Sequence, residues 1–244
     1  ATEESIEALL DGPALTRESM QLGRAQRVDK SRVVYQEFCM STIPAGTDLS
    51  GLKVVIDCAH GAAYKVAPRV LTDLGAEIIP IGCSPNGKNI NLRCGSTAPE
   101  LLQLTVSGVQ ADVGIALDGD GDRLVMVDHL GRLVDGDRLM YVIALDRHAQ
   151  GALPGPVVGT VMSNLGLEHA LKAEGIEFLR AKVGDRYVLE LLRKHGGVLG
   201  GETSGHLLCL DRTTSGDGLV RPDLLPPALT RPTRSLAELA AGQA

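Results

Sequence analysis

The sequence predicts an α/β protein: two tandem domains of similar β-α-β-α-β plan, with mixed sheets sandwiched by helices. Two observations support this prediction. Short, β-branched apolar runs alternate with segments whose apolar residues recur at helical spacing, first over 53–119 and again over 157–201. In both passes a glycine-rich polar loop follows the last strand. A repeated order of elements indicates two domains of one plan.

The first pass opens with KVVIDCA, which is short, apolar and β-branched, as expected of a buried strand. The first helix is predicted to stop at Gly75, since glycine commonly follows the last turn of a helix. The predicted elements are a strand at 53–59, a helix at 67–76, a strand at 77–82, a helix at 98–108 and a strand at 111–117.

The second pass repeats this order, with Gly175 as the stop of its first helix. A hairpin turn at 129–131 and a helix after Asp137 are predicted in the connection between the passes. Open α/β sheets bind ligands beyond the carboxyl ends of their strands, so both glycine-rich loops would line one cleft if the two domains face each other. The predicted elements are a strand at 157–164, a helix at 165–175, a strand at 176–184, a helix at 186–196 and a strand at 197–201.

Composition narrows the classes of function. The chain has 244 residues and a net charge of −6, which gives no basic surface for nucleic acid. It has no apolar run of the roughly 18 residues that a membrane-spanning helix needs. The five cysteines are scattered and form no CxxC pair, so neither a disulfide framework nor a zinc site is expected. We therefore expect a cytoplasmic protein with free thiols that binds neither nucleic acid nor membrane.

The acidic loop DGDGDR follows the last strand of the first pass. Asp118, Asp120 and Asp122 alternate with glycines that let the backbone bend, and alternate residues of an extended loop point to one side. A divalent cation would remove the repulsion among three carboxylates, and oxygen ligands suit Mg²⁺ or Ca²⁺. An EF-hand is excluded, because its sixth and twelfth positions are Arg123 and His129 here instead of Gly and Glu. A solvated acidic turn is the alternative.

Three cationic side chains are candidates for binding a phosphate. Arg123 follows the three aspartates, where it either neutralises them or points its guanidinium at a phosphate that also touches the metal. Lys182 and Arg186, in AKVGDRY, lie at the end of a predicted strand and the start of a helix. A helix N-terminus with adjacent cations binds anions, while a plain surface turn is the alternative.

The second glycine-rich loop is GGETSGH. Glu202, Thr203, Ser204 and His206 supply a carboxylate, two hydroxyls and an imidazole, which together can hydrogen-bond several sugar hydroxyls. A plain hairpin turn is the alternative. A third hypothesis is a nucleophilic Ser204 activated by His206, although the sequence does not fit the G-x-S-x-G elbow.

With these motifs the chain resembles the bacterial phosphoglucosamine mutases, a branch of the α-D-phosphohexomutases, from residue 1 to about 220. Three stretches, EFCMSTIP, NIN and KVGDRYV, favour the glucosamine branch over phosphomannomutases and phosphoglucomutases. The motifs that carry the resemblance are DGDGDR, GETSGH, AKVGDRYVLE, CAHGAAY, PNGKNINLRCGST and TTSGDG.

The resemblance implies a site and a reaction. Asp118, Asp120 and Asp122 would bind Mg²⁺, and Arg123 would lie near the transferred phosphoryl group. The sugar hydroxyls would be held by Glu202, Ser204 and His206. The family interconverts glucosamine 6-phosphate and glucosamine 1-phosphate through a bisphosphate and an enzyme phosphoserine, and the product feeds UDP-N-acetylglucosamine synthesis. A general base is needed as well, for which Asp185 and His206 are the candidates.

The resemblance also implies that the chain is part of a longer protein. Neither the family's Ser-His-Asn-Pro type phosphoserine loop, in its first domain, nor the Gly-Thr-Glu phosphate loop of its fourth occurs in this sequence. We therefore expect this chain to be inactive without domains I and IV. The expected divisions are 1–42 as the tail of the first domain, 43–132 as the second, 133–220 as the third and 221–244 as an atypical proline-rich tail.

Two alternatives to the glucosamine mutase stay open. One keeps the mutase chemistry but acts on mannose or glucose phosphates. The other, from a different class, is a non-catalytic module that binds metal and sugar phosphate. The oligomeric state is left open.

Overall fold

The computed structural model describes residues 2–14, 16–219 and 236. The chain divides into two compact units, 1–31 and 32–244. The first unit contains helix α1 (Thr2–Leu10) and a 3-10 turn at Ser19–Gln21. The proline-rich tail expected at 221–244 lies outside the described residues, apart from Leu236.

The first sheet of the larger unit has five strands in the spatial order β2-β1-β3-β4-β5. The first three strands along the chain are parallel, and the last two pair antiparallel. Its elements are α2 (Ser31–Thr42), β1 (Lys53–Asp57), α3 (Val66–Asp73), β2 (Glu77–Ile81), α4 (Glu100–Val109), β3 (Val113–Leu117), β4 (Leu124–Asp128) and β5 (Leu133–Val134).

The second sheet repeats this plan with four strands in the order β7-β6-β8-β9. β6 pairs parallel with β7 and β8, and β9 pairs antiparallel with β8. Its elements are α5 (Gly136–Ala149), β6 (Val157–Thr160), α6 (Leu165–Ala173), β7 (Phe178–Ala181), α7 (Asp185–His195), β8 (Leu199–Gly201) and β9 (Leu207–Cys209). The predicted fold class, two α/β units with mixed sheets between helices, is confirmed.

The core joins the two sheets. α4 packs on one face of the first sheet through Leu102 and Val106, and α7 packs on one face of the second through Val188 and Leu192. The other faces of both sheets share one continuous apolar cluster with α3, α5 and α6. Helices therefore cover both faces of each sheet, while the shared cluster keeps the carboxyl ends of β3 and β8 in one body.

Several boundaries differ from the prediction. α5 begins at Gly136, because the Asp135 side chain accepts a hydrogen bond from the amide of Arg138 and caps the helix there. Asp137 is therefore inside its first turn. The first sheet extends to Val134, since β5 pairs with β4. α2 was not predicted. No helix in the described ranges is long and apolar enough to cross a membrane.

Candidate active site

The two glycine-rich loops lie side by side at the carboxyl ends of β3 and β8. Arg123 and His206 form a β-bridge, and the amide of Leu124 donates to the carbonyl of Gly205 at 3.1 Å. Gly205 has a φ of +91°, and a side chain at this position would collide with the carbonyl of Leu124. Glycine therefore lets the backbone of the second loop reach the first.

The acidic loop gathers three carboxylates. Asp118, Asp120 and Asp122 each offer an oxygen atom, and these oxygens lie within 4.8 Å of one another. Asp118 is buried, Asp122 is half-buried and Asp120 is exposed. Gly121 makes the turn between them with a φ of +82°. Three carboxylates at this spacing can share a hard divalent cation and leave room for further oxygen ligands.

Two buried polar atoms at this point have no hydrogen-bond partner among the described residues: Oδ1 of Asp122 and Nε2 of His206. Buried polar atoms are nearly always hydrogen-bonded, so such atoms at a surface loop indicate a ligand. The Asp122 oxygen belongs to the acidic cluster, so the donor set present fits a divalent cation.

Arg123 is held against the buried carboxylate of Asp118. Its Nε donates to Oδ2 at 2.6 Å, and its backbone amide donates to Oδ1 at 3.1 Å. The same Oδ1 accepts the amide of Gly121 at 3.2 Å. The guanidinium thus partly neutralises the loop, as one interpretation expects. Because 40% of the Arg123 side chain stays exposed, it also remains accessible to an anion.

The pKa values within the loop diverge. Burial raises the pKa of Asp118, but hydrogen bonds from the backbone and side chain of Arg123 outweigh it and hold this pKa below its usual range. Burial and the neighbouring charge of Asp118 raise the pKa of Asp122. The hydrogen bonds of Arg123 thus favour the ionised form of Asp118, whereas the contacts of Asp122 with His206 and, at 3.7 Å, with Arg123 Nε do not outweigh its burial and the charge of Asp118. A cation at the cluster would favour the ionised form of Asp122 as well.

The second loop closes the β8–β9 hairpin, so it forms the hairpin that one alternative expected. The Glu202 side chain accepts a hydrogen bond from the amide of Gly184 at 2.8 Å, and Ser204 Oγ lies 3.4 Å from the other carboxylate oxygen of Glu202. Thr203 donates its hydroxyl to Asp137 at 2.9 Å. The loop is thus tied to the start of α7 and to the start of α5.

His206 connects this hairpin to the acidic loop. Its Nδ1 lies 3.0 Å from Oδ2 of Asp122, and its Nε2 lies 4.0 Å from Oδ2 of Asp185. Gly216 packs so closely on the imidazole that a side chain there would collide with it. Ser204 contacts Glu202, so these contacts do not form the Ser204–His206 nucleophile pair that one hypothesis expected.

Lys182 and Arg186 lie apart. Lys182 Nζ sits over the ring of Tyr187 at 5.6 Å and lines a pocket of about 420 Å³ with Arg180 and Lys194. Arg186 is exposed and pairs with Glu190 at 3.3 Å. The segment AKVGDRY meets the GGETSGH loop through Gly184 and Asp185.

Comparison with known families decides the assignment. A profile described as "Phosphoglucomutase/phosphomannomutase, alpha/beta/alpha domain II" matches residues 34–131. The corresponding domain III profile matches residues 135–243. The chain belongs to the phosphoglucomutase/phosphomannomutase family. The acidic loop lies in the first of these matches, and the GGETSGH loop lies in the second.

Curated relatives of this phosphoglucomutase/phosphomannomutase family member are phosphoglucosamine mutases. That of Legionella pneumophila (strain Lens) is 54% identical over 242 residues, and that of Methylobacillus flagellatus is 57% identical over 238. These alignments cover 99% and 98% of this chain but only 53% and 52% of the relatives. The chain thus spans about half the length of the curated relatives it matches.

Two solved structures have a similar fold. A Burkholderia thailandensis phosphoglucomutase/phosphomannomutase family protein is similar with a TM-score of 0.74 and 27% identity, over 90% of this chain and 47% of that one. An Aspergillus fumigatus N-acetylphosphoglucosamine mutase, solved with GlcNAc-6P and magnesium, is similar with a TM-score of 0.61 and 20% identity, over 85% and 52%.

The segment TTSGDG, which the sequence marked only as part of the family resemblance, also lies at the site. The Tyr35 hydroxyl of α2 lies 3.0 and 2.8 Å from the two carboxylate oxygens of Asp217. The next residue, Gly218, donates its amide to the carbonyl of Gly121 in the acidic loop at 2.8 Å. The glycines of TTSGDG were the available signal, since they permit such close backbone approach.

Proposed function

We propose that this chain is the metal-binding and sugar-binding part of a phosphoglucosamine mutase, which interconverts glucosamine 6-phosphate and glucosamine 1-phosphate. Curated relatives of that name are 54% and 57% identical to this chain. The observation that carries the proposal is the 3.0 Å contact between Asp122 and His206. It puts the acidic loop and the GGETSGH loop against each other, as a reaction between a metal-bound phosphoryl group and a sugar requires.

The proposed metal is Mg²⁺, held by Asp118, Asp120 and Asp122. Bound there, it would supply charge neutralisation to phosphoryl oxygens. The preference for Mg²⁺ over Ca²⁺ follows from the proposed substrate, since Mg²⁺ sites in proteins commonly include the phosphates of a substrate among their ligands.

The residues of the chain itself supply orientation and charge. Arg123, anchored on Asp118 through Nε, presents the exposed part of its guanidinium to the transferred phosphoryl group. Glu202, Ser204 and His206 hydrogen-bond the sugar hydroxyls. Phosphoryl transfer depends chiefly on such positioning and on stabilising charge.

Three further residues have supporting roles in this proposal. Thr203 belongs to the sugar-binding loop, but its hydroxyl is directed to Asp137. Lys182 attracts the substrate phosphate from its pocket beside α7. Arg186, which is exposed and paired with Glu190, contributes to this positive field from the surface.

We place the nucleophilic phosphoserine and a further phosphate-binding loop, domains I and IV of the family, in the part of the protein that this chain does not contain. The divisions at 42, 132 and 220 belong to this proposal. The general base is Asp185 or His206, whose side chains lie 4.0 Å apart. The protein would act in the cytoplasm, a location with which its five free thiols agree.

Calorimetry on this chain tests the binding roles. We expect Mg²⁺ to bind the wild type and Asp120→Asn to weaken its binding by at least about tenfold, because one of three carboxylate ligands is lost. Asp29→Asn, an exposed aspartate paired with Arg27 outside the loop, is the matched control and should bind Mg²⁺ like the wild type. Equal affinities for wild type and Asp120→Asn would contradict the metal site.

Substrate preference and activity are tested next. Glucosamine 6-phosphate should bind more tightly than mannose 6-phosphate or glucose 6-phosphate, and the reverse order would favour the other mutase branches. With added glucose 1,6-bisphosphate we expect this chain to show no turnover. Measurable conversion to glucosamine 1-phosphate would show that no serine from another domain is required.

A further inference from the structure

The first turn of α5 supports the sugar-binding loop. Asp137 is 1% exposed, and its Oδ2 accepts two hydrogen bonds. One comes from the Thr203 hydroxyl at 2.9 Å and the other from the backbone amide of Asn164 at 2.7 Å. A buried carboxylate is costly unless hydrogen bonds compensate for its lost hydration, so these bonds fix the positions of their donors.

The backbone next to Asp137 also contacts Thr203. Gly136 donates its amide to the carbonyl of Thr203 at 3.0 Å, so Thr203 is bound through both its backbone and its side chain. A side chain at Gly136 would collide with the carbonyl of Glu202. The hairpin loop therefore rests directly on the helix, without an intervening side chain.

Asp137 also joins two neighbouring loops. Asn164 closes the loop after β6 and caps α6, where its side chain accepts the amide of Gly166 at 2.8 Å. Thr203 lies in the loop after β8, and β6 and β8 are adjacent parallel strands. Both loops emerge at the carboxyl edge of the second sheet, where ligands bind in folds of this kind.

We propose that Asp137 is a positioning residue for substrate. Through Thr203 it sets the place of Glu202 and Ser204 on either side, and through Asn164 it fixes the adjacent loop, so that both loops keep the spacing which a sugar phosphate needs. Asp137 itself is buried beneath the loop and touches no substrate. This inference rests on the proposed function, because it assigns the sugar to the GGETSGH loop.

A matched set of variants tests the inference in this chain. Asp137→Asn keeps the shape but removes the charge, Thr203→Val removes the hydroxyl, and Thr203→Ser restores it. Asp146→Asn makes the same change further along α5 and is the control. Each variant is assayed for binding of Mg²⁺, for binding of glucosamine 6-phosphate at saturating Mg²⁺, and for amide hydrogen exchange.

A positioning role predicts a loss of sugar-phosphate affinity without a loss of Mg²⁺ affinity. Asp137→Asn and Thr203→Val should weaken glucosamine 6-phosphate binding by about tenfold or more, the effect of losing a hydrogen bond to a charged group, while Mg²⁺ affinity changes less than about twofold. Thr203→Ser should recover most of the lost affinity. Unchanged sugar-phosphate affinity in both variants would overturn the inference, and so would a parallel loss of Mg²⁺ affinity, which would mark a general effect on folding.

Hydrogen exchange separates this inference from the proposed function. The amide of Gly205 bonds to Glu202 inside the hairpin, and the amide of Gly121 bonds to Asp118 in the acidic loop. Asp137→Asn and Thr203→Val should speed hydrogen exchange at the amide of Gly205 about tenfold and leave exchange at the amide of Gly121 unchanged. If wild type fails to bind the sugar phosphate, the proposed function fails. Unchanged exchange at Gly205 in both variants would refute the positioning role itself.

Discussion

His206 Nδ1 lies 3.0 Å from Oδ2 of Asp122, so an imidazole from the second sheet contacts a carboxylate from the first. The contact is largely enclosed, since the His206 side chain is only 12% exposed. It orients Asp122 within the acidic loop, as residues behind a metal ligand commonly do. The position of the His206 imidazole is therefore coupled to that of the proposed metal ligand Asp122.

This contact predicts the effect of replacing His206. His206→Ala should lower Mg²⁺ affinity about tenfold, because Asp122 loses the group that orients it. His206→Asn should retain most of the affinity, since its amide nitrogen can occupy the position of Nδ1. Isothermal titration calorimetry of the two variants against wild type measures the difference. The prediction is wrong if His206→Ala binds Mg²⁺ as tightly as wild type does.

The contact between Arg123 and Asp118 predicts an effect on stability. Arg123→Lys should lower the free energy of unfolding by about 1–2 kcal/mol, because lysine cannot reproduce the Nε geometry and the buried carboxylate loses a partner. Urea denaturation provides the measurement. Arg186→Lys is the matched control: its exposed pair with Glu190 should contribute little. Equal losses in the two variants would contradict the special role of Arg123.

Tyr35 predicts a dependence of stability on pH. Burial, and then the charge and hydrogen bond of Asp217, raise the pKa of Tyr35 above its usual 10.0. The folded state therefore holds the phenol proton more tightly than the unfolded state. The contribution of Tyr35 to stability is complete below about pH 10 and is lost as the pH rises beyond it.

Tyr35→Phe should thus lower the free energy of unfolding by about 1 kcal/mol at neutral pH. Its stability should also fall less steeply than that of wild type from pH 9.5 upward. Urea denaturation across pH 7 to 11 tests both statements, with Tyr187→Phe, at an exposed tyrosine, as the control. A stability-versus-pH profile of Tyr35→Phe that runs parallel to the wild-type profile would argue against a raised pKa of Tyr35.

Replacing glycine by alanine should have opposite effects on stability at two helical positions, Gly136 and Gly108. Gly136→Ala should destabilise the protein by about 1–3 kcal/mol, because the new methyl group meets the carbonyl of Glu202. Gly108→Ala, in α4, meets nothing within 4 Å and should stabilise by up to about 1 kcal/mol, since alanine favours helix. Thermal unfolding of both variants measures these effects. A Gly136→Ala protein as stable as wild type would refute the close packing of Gly136 on Glu202.

Much of the fold could be predicted from the sequence, because local patterns determine it. The apolar run at β1 and the stop at Gly75, which has a φ of +97°, are properties of a few adjacent residues. The same holds for the acidic cluster, whose three aspartates are separated by single glycines. The strand predicted at 157–164 ended earlier, at Thr160, since the apolar run continues beyond it into the exposed Val161 and Met162.

What the sequence could not predict depends on residues far apart in the chain. Tyr35 and Asp217 are 182 positions apart, and Thr203 and Asp137 are 66 apart. No local periodicity reports such pairs. Charge and proximity to a helix start favour Lys182 and Arg186 in the sequence, while the neighbouring residues Gly184 and Asp185 contact the GGETSGH loop.

The matching strand orders, β2-β1-β3-β4 and β7-β6-β8-β9, agree in every parallel and antiparallel pairing. Tandem duplication of one ancestral α/β unit produces this arrangement directly. Under that history the acidic loop and the GGETSGH loop descend from a single turn after the third strand. The β-bridge between Arg123 and His206 would then join two descendants of one turn, now carrying different side chains.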